Sequence, residues 1–157
     1  MAYIKKFSDK GKDSKCFLCK AAGENDDERN LVVFRGRTSF VIMNRFPYNN
    51  GHLMIAPYRH VGNILDLGDE ESSEIMKLMK LAVAALKEEY KPDGFNIGLN
   101  LGRAAGAGLE DHMHFHIVPR WIGDTNFMPV CSETKVIPES LEESWRRLRD
   151  RFKRLTA

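Results

Sequence analysis

His112-Met113-His114-Phe115-His116-Ile117-Val118 alternates histidine with large apolar residues at a period of two. This periodicity is typical of a β-strand that is buried on one face. We expect Met113, Phe115 and Ile117 to face a core, while all three histidines line the opposite face. Because imidazole ionises near neutral pH and acts both as a nucleophile and as a metal ligand, the histidine-bearing side is predicted to be reactive.

Strand geometry limits what these histidines can do together. Residues two apart on a regular strand lie about 6.5 to 7 Å apart, so His112 and His116 are expected about 13 Å apart. Zinc holds nitrogen ligands at about 2 Å, and a regular strand therefore cannot bring all three rings to one metal ion. We expect divided roles, with the middle histidine, His114, best placed for chemistry. A chance run on a solvated strand is the alternative.

The same seven residues match the His-φ-His-φ-His-φ-φ signature (φ, apolar) of the histidine triad, or HIT, superfamily of nucleotide hydrolases and transferases. The family's upstream strand pair and loop resemble Val41-Ile42-Met43-Asn44-Arg45-Phe46-Pro47 and Gly51-His52-Leu53-Met54-Ile55-Ala56-Pro57, followed by Arg59-His60. Asn96-Ile97-Gly98-Leu99-Asn100 resembles the segment that leads into the triad strand. The resemblance covers about residues 16–122 and implies the HIT fold and activity on nucleotides.

The composition is that of an ordinary globular domain. With 157 residues, 43% hydrophobic and 29% charged, the chain can build a core without disulfides. We expect one HIT domain over residues 1–157, with a flexible arm at 1–15, the core at 16–122 and a C-terminal extension with a helix at 123–157. The net charge of +2 argues against a dedicated nucleic-acid binder. Because no apolar run reaches about 20 residues and no signal-peptide stretch begins the chain, we expect no membrane contact and a cytoplasmic location.

The remaining patterns predict helices packed on an antiparallel sheet. Apolar residues recur at three and four within Asp69–Tyr90, which predicts a long helix that ends at Pro92-Asp93-Gly94. A second amphipathic helix is predicted from Leu141 to Phe152, and the charged run Glu24–Asn30 is interpreted as a solvated loop. Strands are predicted at Leu31–Arg35, Thr38–Asn44, His52–Ala56, Phe95–Asn100 and the triad, which gives an α+β fold with an antiparallel sheet of about five strands.

His114 is the predicted nucleophile. A neutral imidazole nitrogen can attack a phosphoanhydride without the charge repulsion that an anion meets, and it divides one hard substitution into two easier ones. The resemblance implies that the middle triad histidine forms a covalent nucleotidyl intermediate. His116 is the second predicted catalytic residue, because it can donate a hydrogen bond to the non-bridging phosphate oxygens.

Residues outside the triad are predicted to bind substrate. The loop Gly102–Gly108 precedes the triad, and glycine lets backbone amides approach an anion closely. Many HIT enzymes carry Gln or Ser where this chain has Ala107-Gly108-Leu109, so phosphate contacts are expected from backbone amides or from another segment. The resemblance assigns Asn44 to the ribose hydroxyls and Asn100 to phosphate or ribose, with strand-end capping as the alternative. The predicted substrate-binding set is Asn44, His52, Asn100, Gly106, Ala107, Gly108, His116 and Trp121, and an adenine pocket is expected to use Phe17, Phe40 and Ile42, with core packing as the default for the last two.

Cys16 and Cys19 form a CxxC pair, which is a moderate signal for a metal site. A closed tetrahedral zinc site needs two more ligands, and His60 and His112 are the available candidates. In HIT branches with such a pair, the resemblance implies zinc held by the pair, by the histidine after the Pro-x-Arg/Lys element and by the first triad histidine. We therefore expect a structural zinc, with two free thiols on a turn as the alternative and Cys131 left over.

The tail after the triad suggests which molecule accepts the nucleotidyl group. Residues 119–130 and 134–139 resemble the bacterial diadenosine tetraphosphate phosphorylase, or ATP adenylyltransferase-like, branch of the family. They offer Arg120 and Lys135 for extra phosphate charge, and Trp121 for stacking or for packing. We expect phosphorolysis of diadenosine tetraphosphate, with inorganic phosphate accepting AMP, and the resemblance implies a homodimer or a higher homo-oligomer.

Three alternatives stay open. Water as the acceptor would make the protein a hydrolase of dinucleoside polyphosphates or nucleoside phosphoramidates. A nucleotide-binding regulatory module without turnover would not need the nucleophile His114. A nucleic-acid contact through the basic segment 146–154 is the third, although Leu148 and Phe152 fit an ordinary amphipathic helix with a solvated basic face.

Overall fold

The computed structural model describes residues 15–108, 112–125 and 139–157. Several predictions fall outside the described residues. They concern the arm up to residue 14, Leu109, and the part of the extension that contains Cys131 and Lys135. In the part that is described, no helix is both long and apolar enough to cross a membrane. The elements are α1 (Phe17–Gly23), α2 (Asp27–Asn30), β1 (Val32–Arg35), β2 (Ser39–Met43), β3 (Leu53–Pro57), α3 (Asp69–Tyr90), β4 (Gly94–Leu99), β5 (Phe115–Arg120) and α4 (Leu141–Thr156), with 3-10 turns at Ile64–Asp66 and Arg103–Ala105.

The five strands form one antiparallel sheet in the order β1-β2-β3-β5-β4. The predicted α+β fold, with an antiparallel sheet of five strands, a long helix and a C-terminal helix, is confirmed. The last triad histidine lies on β5, which pairs with β3 on one side and with β4 on the other. His116 therefore lies in the interior of the sheet, between β3 and β4.

The two faces of the sheet have different partners. Ile42, Met54 and His116 lie in one row across β2, β3 and β5, so their side chains share one face, which we call the histidine face. Helix α1 packs on this face beside Ile42 and Met54. The opposite face, which includes Leu53 and Ile117, is buried against α3 and α4. The main core therefore lies on one side of the sheet and leaves part of the histidine face open to ligands.

Helix α3 has the bounds that the sequence predicts. Three acidic residues occupy its first turn, where they complement the helix dipole, and the Glu71 carboxylate accepts the Gly68 backbone N–H at 2.8 Å. The helix ends where Lys91 adopts a left-handed conformation and Pro92 follows. One stripe of the helix is buried in the core and contains Ile75, Leu78, Ala82, Ala85 and Leu86.

The prediction that Glu24–Asn30 is entirely a solvated loop is wrong, because this run contains the short helix α2. Asp26 caps the helix by accepting the Arg29 backbone N–H at 3.3 Å, as aspartate at this position commonly does. Helix α1 before it starts at the CxxC pair. At the end of α1, the backbone oxygens of Ala21, Ala22 and the following Glu24 accept hydrogen bonds. The donor is the guanidinium of Arg35, which lies on β1.

Candidate functional site

The triad is not one regular strand. β5 begins at Phe115, and the residues from His112 to His114 lie before it in irregular backbone. Met113 and Ile117 are buried as expected and Phe115 is half-buried against the core, but His112 is fully buried rather than on a reactive open face. The prediction of three histidines on one exposed strand face is therefore wrong for His112. Its ring turns away because it is hydrogen-bonded to buried groups, and burial of an imidazole requires such partners.

His112 belongs to a cluster of four potential metal ligands. One ligand atom from each of Cys16, Cys19, His60 and His112 lies within 4.8 Å of all the others. The Nδ1 atom of His112 is 3.3 Å from both thiol sulfurs, and that of His60 is 3.1 Å from the Cys19 sulfur. The predicted four residues are thus brought together into a possible metal site, from the start of α1, from the segment after β3 and from the segment before β5.

The donor chemistry of this cluster fits a soft or borderline divalent metal. Two sulfur and two nitrogen ligands are one of the usual sets for tetrahedral zinc, and a closed set of four leaves no position for substrate. The Nε2 atom of His112 is 2.9 Å from the Pro57 carbonyl, so Nε2 carries the proton and Nδ1 is left for the metal. The cluster is therefore suited to a structural role.

A chain of hydrogen bonds fixes the tautomers of His52 and His116. The Tyr48 backbone N–H donates to Nδ1 of His52 at 3.1 Å, so the proton of the neutral His52 ring must be on Nε2. That Nε2–H donates to Nδ1 of His116 at 2.8 Å. His116 therefore carries its own proton on Nε2, from which it can donate to a ligand.

His114 has the opposite tautomer. Its Nδ1 atom is 3.0 Å from the His112 carbonyl oxygen, which can only accept, so Nδ1 carries the proton. The lone pair of Nε2 is then available for attack. The His114 and His116 rings are 4.9 Å apart and nearly perpendicular. The site thus combines one ring with an available lone pair and one ring with an available N–H.

Burial keeps the supporting pair neutral. Burial, together with the neighbouring rings of His116 and His114, lowers the pKa of His52 from 6.5 to about 3. Burial and the His114 ring lower the pKa of His116 from 6.5 to about 4. Both rings are therefore uncharged at neutral pH, and each donates through one defined N–H.

Tyr48 is a site residue that the sequence did not single out. Its ring lies 5.8 Å from that of His116 in a nearly parallel arrangement and 4.6 Å from that of His52, while the side chain stays 55% exposed. It therefore covers the two neutral histidines on their solvent side. The only available signal was an aromatic residue four positions before His52 in a predicted turn.

We expect the His116 imidazole to titrate near pH 4 in the folded protein, and to move toward 6.5 in Tyr48→Ala, because removing the ring admits water. Since the folded-state pKa values of His52 and His116 lie below 6.5, the unfolded chain binds more protons, and stability falls as the pH decreases from about 6.5 toward about 3. Long-range nitrogen–proton NMR of the histidine side chains would report the midpoints and the tautomers. Tyr48→Phe is the matched control, and a midpoint of 6 or above in the wild type would contradict this assignment.

The other predicted substrate-binding residues differ in their contacts and in their exposure. Asn44 is next to the histidines, with its amide nitrogen 3.5 Å from Nδ1 of His52. Asn100 is exposed just after β4. The N–H groups of Gly106 and Ala107 donate to carbonyls within their own loop, at 3.0 and 3.3 Å. Two of the backbone amides expected to bind phosphate therefore already donate hydrogen bonds within the protein. Gly108 follows them at an exposed position.

The tail residues make contacts of their own. The Trp121 indole N–H points to the Tyr90 carbonyl at 3.4 Å, so the ring packs at the end of α3. Arg120, which the sequence offered for phosphate, donates through two nitrogens to the Asp124 carboxylate at 2.7 and 2.9 Å. Its charge is balanced there, which disfavours a phosphate role. Neither contact depends on a ligand.

A cavity of about 370 Å³ opens beside the histidine face. It is within the range of about 300 to 1,000 Å³ that is usual for small-molecule sites. Phe17 and Ile42 line it. Ile42 is nevertheless almost fully buried in the cluster beside α1, and Phe40 is fully buried and stacks on Tyr58, so both have the core-packing role that was their default. The remaining lining residues are Lys20, Arg29, Asn30, Leu31, Met43 and Arg45.

Residues 25–121 match the family model of the HIT domain, and the chain belongs to the histidine triad family. It is 48% identical over 122 residues to a Mycobacterium tuberculosis protein described as AP-4-A phosphorylase, and this match covers 78% of the chain and 63% of that protein. A bis(5'-adenosyl)-triphosphatase of Saccharomyces cerevisiae is 33% identical over 91 residues, covering 57% of this chain and 44% of the relative. A hypothetical histidine triad nucleotide-binding protein from Sulfolobus tokodaii has a similar fold, with a TM-score of 0.71, 26% identity, and coverage of 90% and 94% of the two chains.

The chain spans less than two thirds of the length of these two curated relatives, 63% and 44% respectively. The family is therefore established from the matched region, and the reaction has to be argued from the site.

Proposed function

We propose that this protein transfers a nucleotidyl group from a dinucleoside polyphosphate to His114 and then to inorganic phosphate, converting diadenosine tetraphosphate to ATP and ADP. The observation that carries the proposal is the pair of tautomers described above. Nε2 of His114 has its lone pair available, and the neighbouring His116 has an N–H available on Nε2. A nucleophile beside a donor for the developing phosphate charge is the arrangement that nucleotidyl transfer needs.

The nucleotide would lie along the histidine face. Ile42 at the cavity and His116 are separated by one intervening strand, which corresponds to about 10 Å between their backbones. Asn44 comes two residues after Ile42, its amide nitrogen approaches His52, and it would bind the ribose hydroxyls. The base would occupy the cavity beside Phe17, so that the 5'-phosphate reaches the triad.

In the first step, Nε2 of His114 attacks the α-phosphorus of one AMP unit, the nitrogen–phosphorus bond forms, and the bond to the bridging oxygen breaks to release ATP. His116 donates its Nε2–H to the non-bridging oxygens as charge moves onto them. The imidazolium that forms at His114 is stabilised by the His112 carbonyl, which accepts its Nδ1–H. In the second step a phosphate oxygen attacks the same phosphorus, ADP leaves, and His114 regains its lone pair.

Phosphate is proposed as the acceptor because the Mycobacterium tuberculosis relative, at 48% identity, is described as a phosphorylase. Water is the second candidate, since the yeast relative at 33% identity is described as a triphosphatase. The histidine geometry serves the first step of both reactions equally. A purely regulatory nucleotide-binding module is disfavoured, because its site would not need an oriented nucleophile.

Product analysis separates these reactions. Diadenosine tetraphosphate would be incubated with the protein, with and without inorganic phosphate, and the products separated by anion exchange. We expect ATP and ADP only when phosphate is present. ATP and AMP in both reactions would make the protein a hydrolase, and no turnover in either would favour the regulatory module.

We propose zinc as the metal of the Cys16, Cys19, His60 and His112 cluster. The support is the donor set, in which two thiolates and two imidazoles surround one point. When bound, zinc would supply no substrate chemistry and would join α1 to the segments after β3 and before β5. Thiolate ligands persist in a reducing compartment, which is consistent with a cytoplasmic location.

We also propose a homodimer formed through β4. This strand is at one edge of the sheet, has no charged residue, and leaves Ile97 45% exposed. At the other edge, Trp145 and Arg149 of α4 donate to the carbonyls of Val32 and Val33 of β1, which hinders pairing there. Antiparallel pairing of β4 with a second copy would satisfy its open hydrogen-bonding edge.

Light scattering after size exclusion would measure this assembly. We expect a dimer for the wild type and a monomer for Ile97→Lys, because the substitution places two like charges close together in the paired edge. Ile122→Lys is the control, since Ile122 is 91% exposed on a turn outside the sheet. A monomeric wild type, or a dimeric Ile97→Lys, would rule out pairing through β4.

A further inference from the structure

Three cationic side chains line the cavity beside the histidine face. They are Lys20 of α1, Arg29 of α2 and Arg45 after β2, and no acidic residue is among the described residues that line the cavity. An adenine or guanine base is neutral, so a pocket for a base alone does not call for three positive charges. The like charges repel one another, and the arrangement gains most from an anionic occupant.

These three cations differ from most of the arginines in the described residues. Arginine is usually balanced by a carboxylate in this chain, as in the pairs of Arg37 with Glu70 and Arg120 with Asp124. Over residues 15–108, 112–125 and 139–157, no ion pair joins a carboxylate to any of the three cavity cations. Their positive charge is therefore available to a ligand.

The position of the cations indicates which part of a nucleotide they would meet. Arg45 directly follows Asn44, the proposed ribose ligand, and its guanidinium donates to the Arg29 carbonyl at 3.0 Å, which holds the two arginine segments together. The triad lies in the other direction along the histidine face, past Met54. A group attached to the ribose hydroxyls would thus be near the cations, while the polyphosphate would be directed to His114.

The residue beside the ribose is neutral, which also permits an anion there. A carboxylate at a ribose site selects hydroxyl groups and repels a ribose phosphate, whereas arginine near the ribose accommodates one, as in the discrimination between NAD and NADP. Asn44 carries no charge, and Arg45 follows it.

We propose that the three cations of this cavity bind, beside the base, a second phosphate group carried on the 2' or 3' oxygen of the nucleotide whose 5'-phosphate is bound at the triad. The inference rests on the proposed function, because it takes the direction of the nucleotide from it. It extends the substrate class from simple adenine nucleotides to ribose-phosphorylated ones.

Calorimetric titration with AMP, adenosine 2',5'-bisphosphate and adenosine 3',5'-bisphosphate tests this site, with ATP and GMP titrated as comparison ligands. We expect at least one bisphosphate to bind the wild type about tenfold more tightly than AMP, with the preference decreasing as salt is added. The ratio of the Kd for AMP to the Kd for the bisphosphate should approach one in Arg45→Met and in Lys20→Met. Both substitutions remove charge while keeping a long side chain. Lys20→Met guards against a folding defect, because its side chain makes no hydrogen bond within the described residues. Arg37→Met is the matched control, since Arg37 is a surface arginine paired with Glu70, and it should leave the preference unchanged.

Several outcomes would overturn the site. Equal binding of AMP and both bisphosphates to the wild type would overturn it while leaving the proposed function intact. If the Met variants weakened ATP binding although the bisphosphates showed no advantage, the cations would hold the polyphosphate instead. A tenfold preference for GMP over AMP without a gain from the bisphosphates would assign the cations to a base. Failure of every nucleotide to bind would overturn the proposed function together with this site.

Discussion

Replacing His114 with alanine is expected to reduce kcat on diadenosine tetraphosphate by at least about 10⁴-fold, since loss of a covalent nucleophile removes the reaction path itself. Binding of AMP should change little, because the cavity and Asn44 do not depend on this side chain. The matched comparison is His116→Asn, which keeps a donor near the phosphate and should lose less activity than His114→Ala. Rates would be measured by product chromatography, and binding by calorimetry.

The intermediate gives an independent readout of the same residue. A phosphorus–nitrogen bond to imidazole is labile in acid and stable in base, so an AMP adduct should be recoverable from wild-type protein quenched in base without phosphate. Mass spectrometry is expected to locate the adduct on His114 and to find none in His114→Ala. An adduct on His116, or turnover within tenfold of wild type in His114→Ala, would refute the assignment.

Removing the proposed zinc is expected to have the largest effect on stability. The cluster joins α1 to two segments that flank the sheet, so its loss should lower the free energy of unfolding by about 4 kcal/mol, and the Tm by about 8 to 16 °C. Cys19→Ser is the most informative variant, because the Cys19 sulfur approaches both His60 and His112. Elemental analysis should find one zinc per chain in the wild type and none in Cys19→Ser.

Loss of the proposed zinc should also reduce activity, although a site closed by four protein ligands would leave no position for a substrate atom. The His112 ring is held by the cluster and by the Pro57 carbonyl, and the carbonyl of the same residue orients His114. A displacement of about 1 Å at the nucleophile costs about 10²-fold in rate, so kcat should fall by about that factor. Cys131→Ser is the control and should keep its zinc, its Tm and its activity. A metal-free protein with unchanged Tm and kcat would refute the structural role.

The two long helices, α3 and α4, and the strand positions were predictable because each is determined by residues close together in the chain. The apolar stripe of α3, its acidic first turn and the proline after Lys91 all lie within one segment. The four residues of the possible metal site were predictable from the family resemblance, since the CxxC pair alone leaves two ligands open. The region around α2 was predicted wrongly, because a four-residue helix has too few apolar positions to produce a periodicity.

The features that the sequence did not reveal depend on which side chains the fold brings into contact. Arg120 looked available for phosphate until the fold placed the Asp124 carboxylate against it. The charge of the cavity was hidden for the same reason, since its three cations come from α1, α2 and the end of β2. Whether a cation is paired depends on which carboxylates are near it in space.

The amino-acid sequence by itself determined the sheet, the two long helices, and the presence of five histidines and of a pair of thiols three positions apart, because local periodicity and residue chemistry depend on neighbouring residues in the chain. The roles of the histidines were decided by tertiary structure. A neutral imidazole can hold its proton on either nitrogen, and the partner of each ring selects the tautomer. Those partners are the Tyr48 amide for His52, His52 for His116 across 64 residues, and the Pro57 carbonyl for His112 across 55 residues.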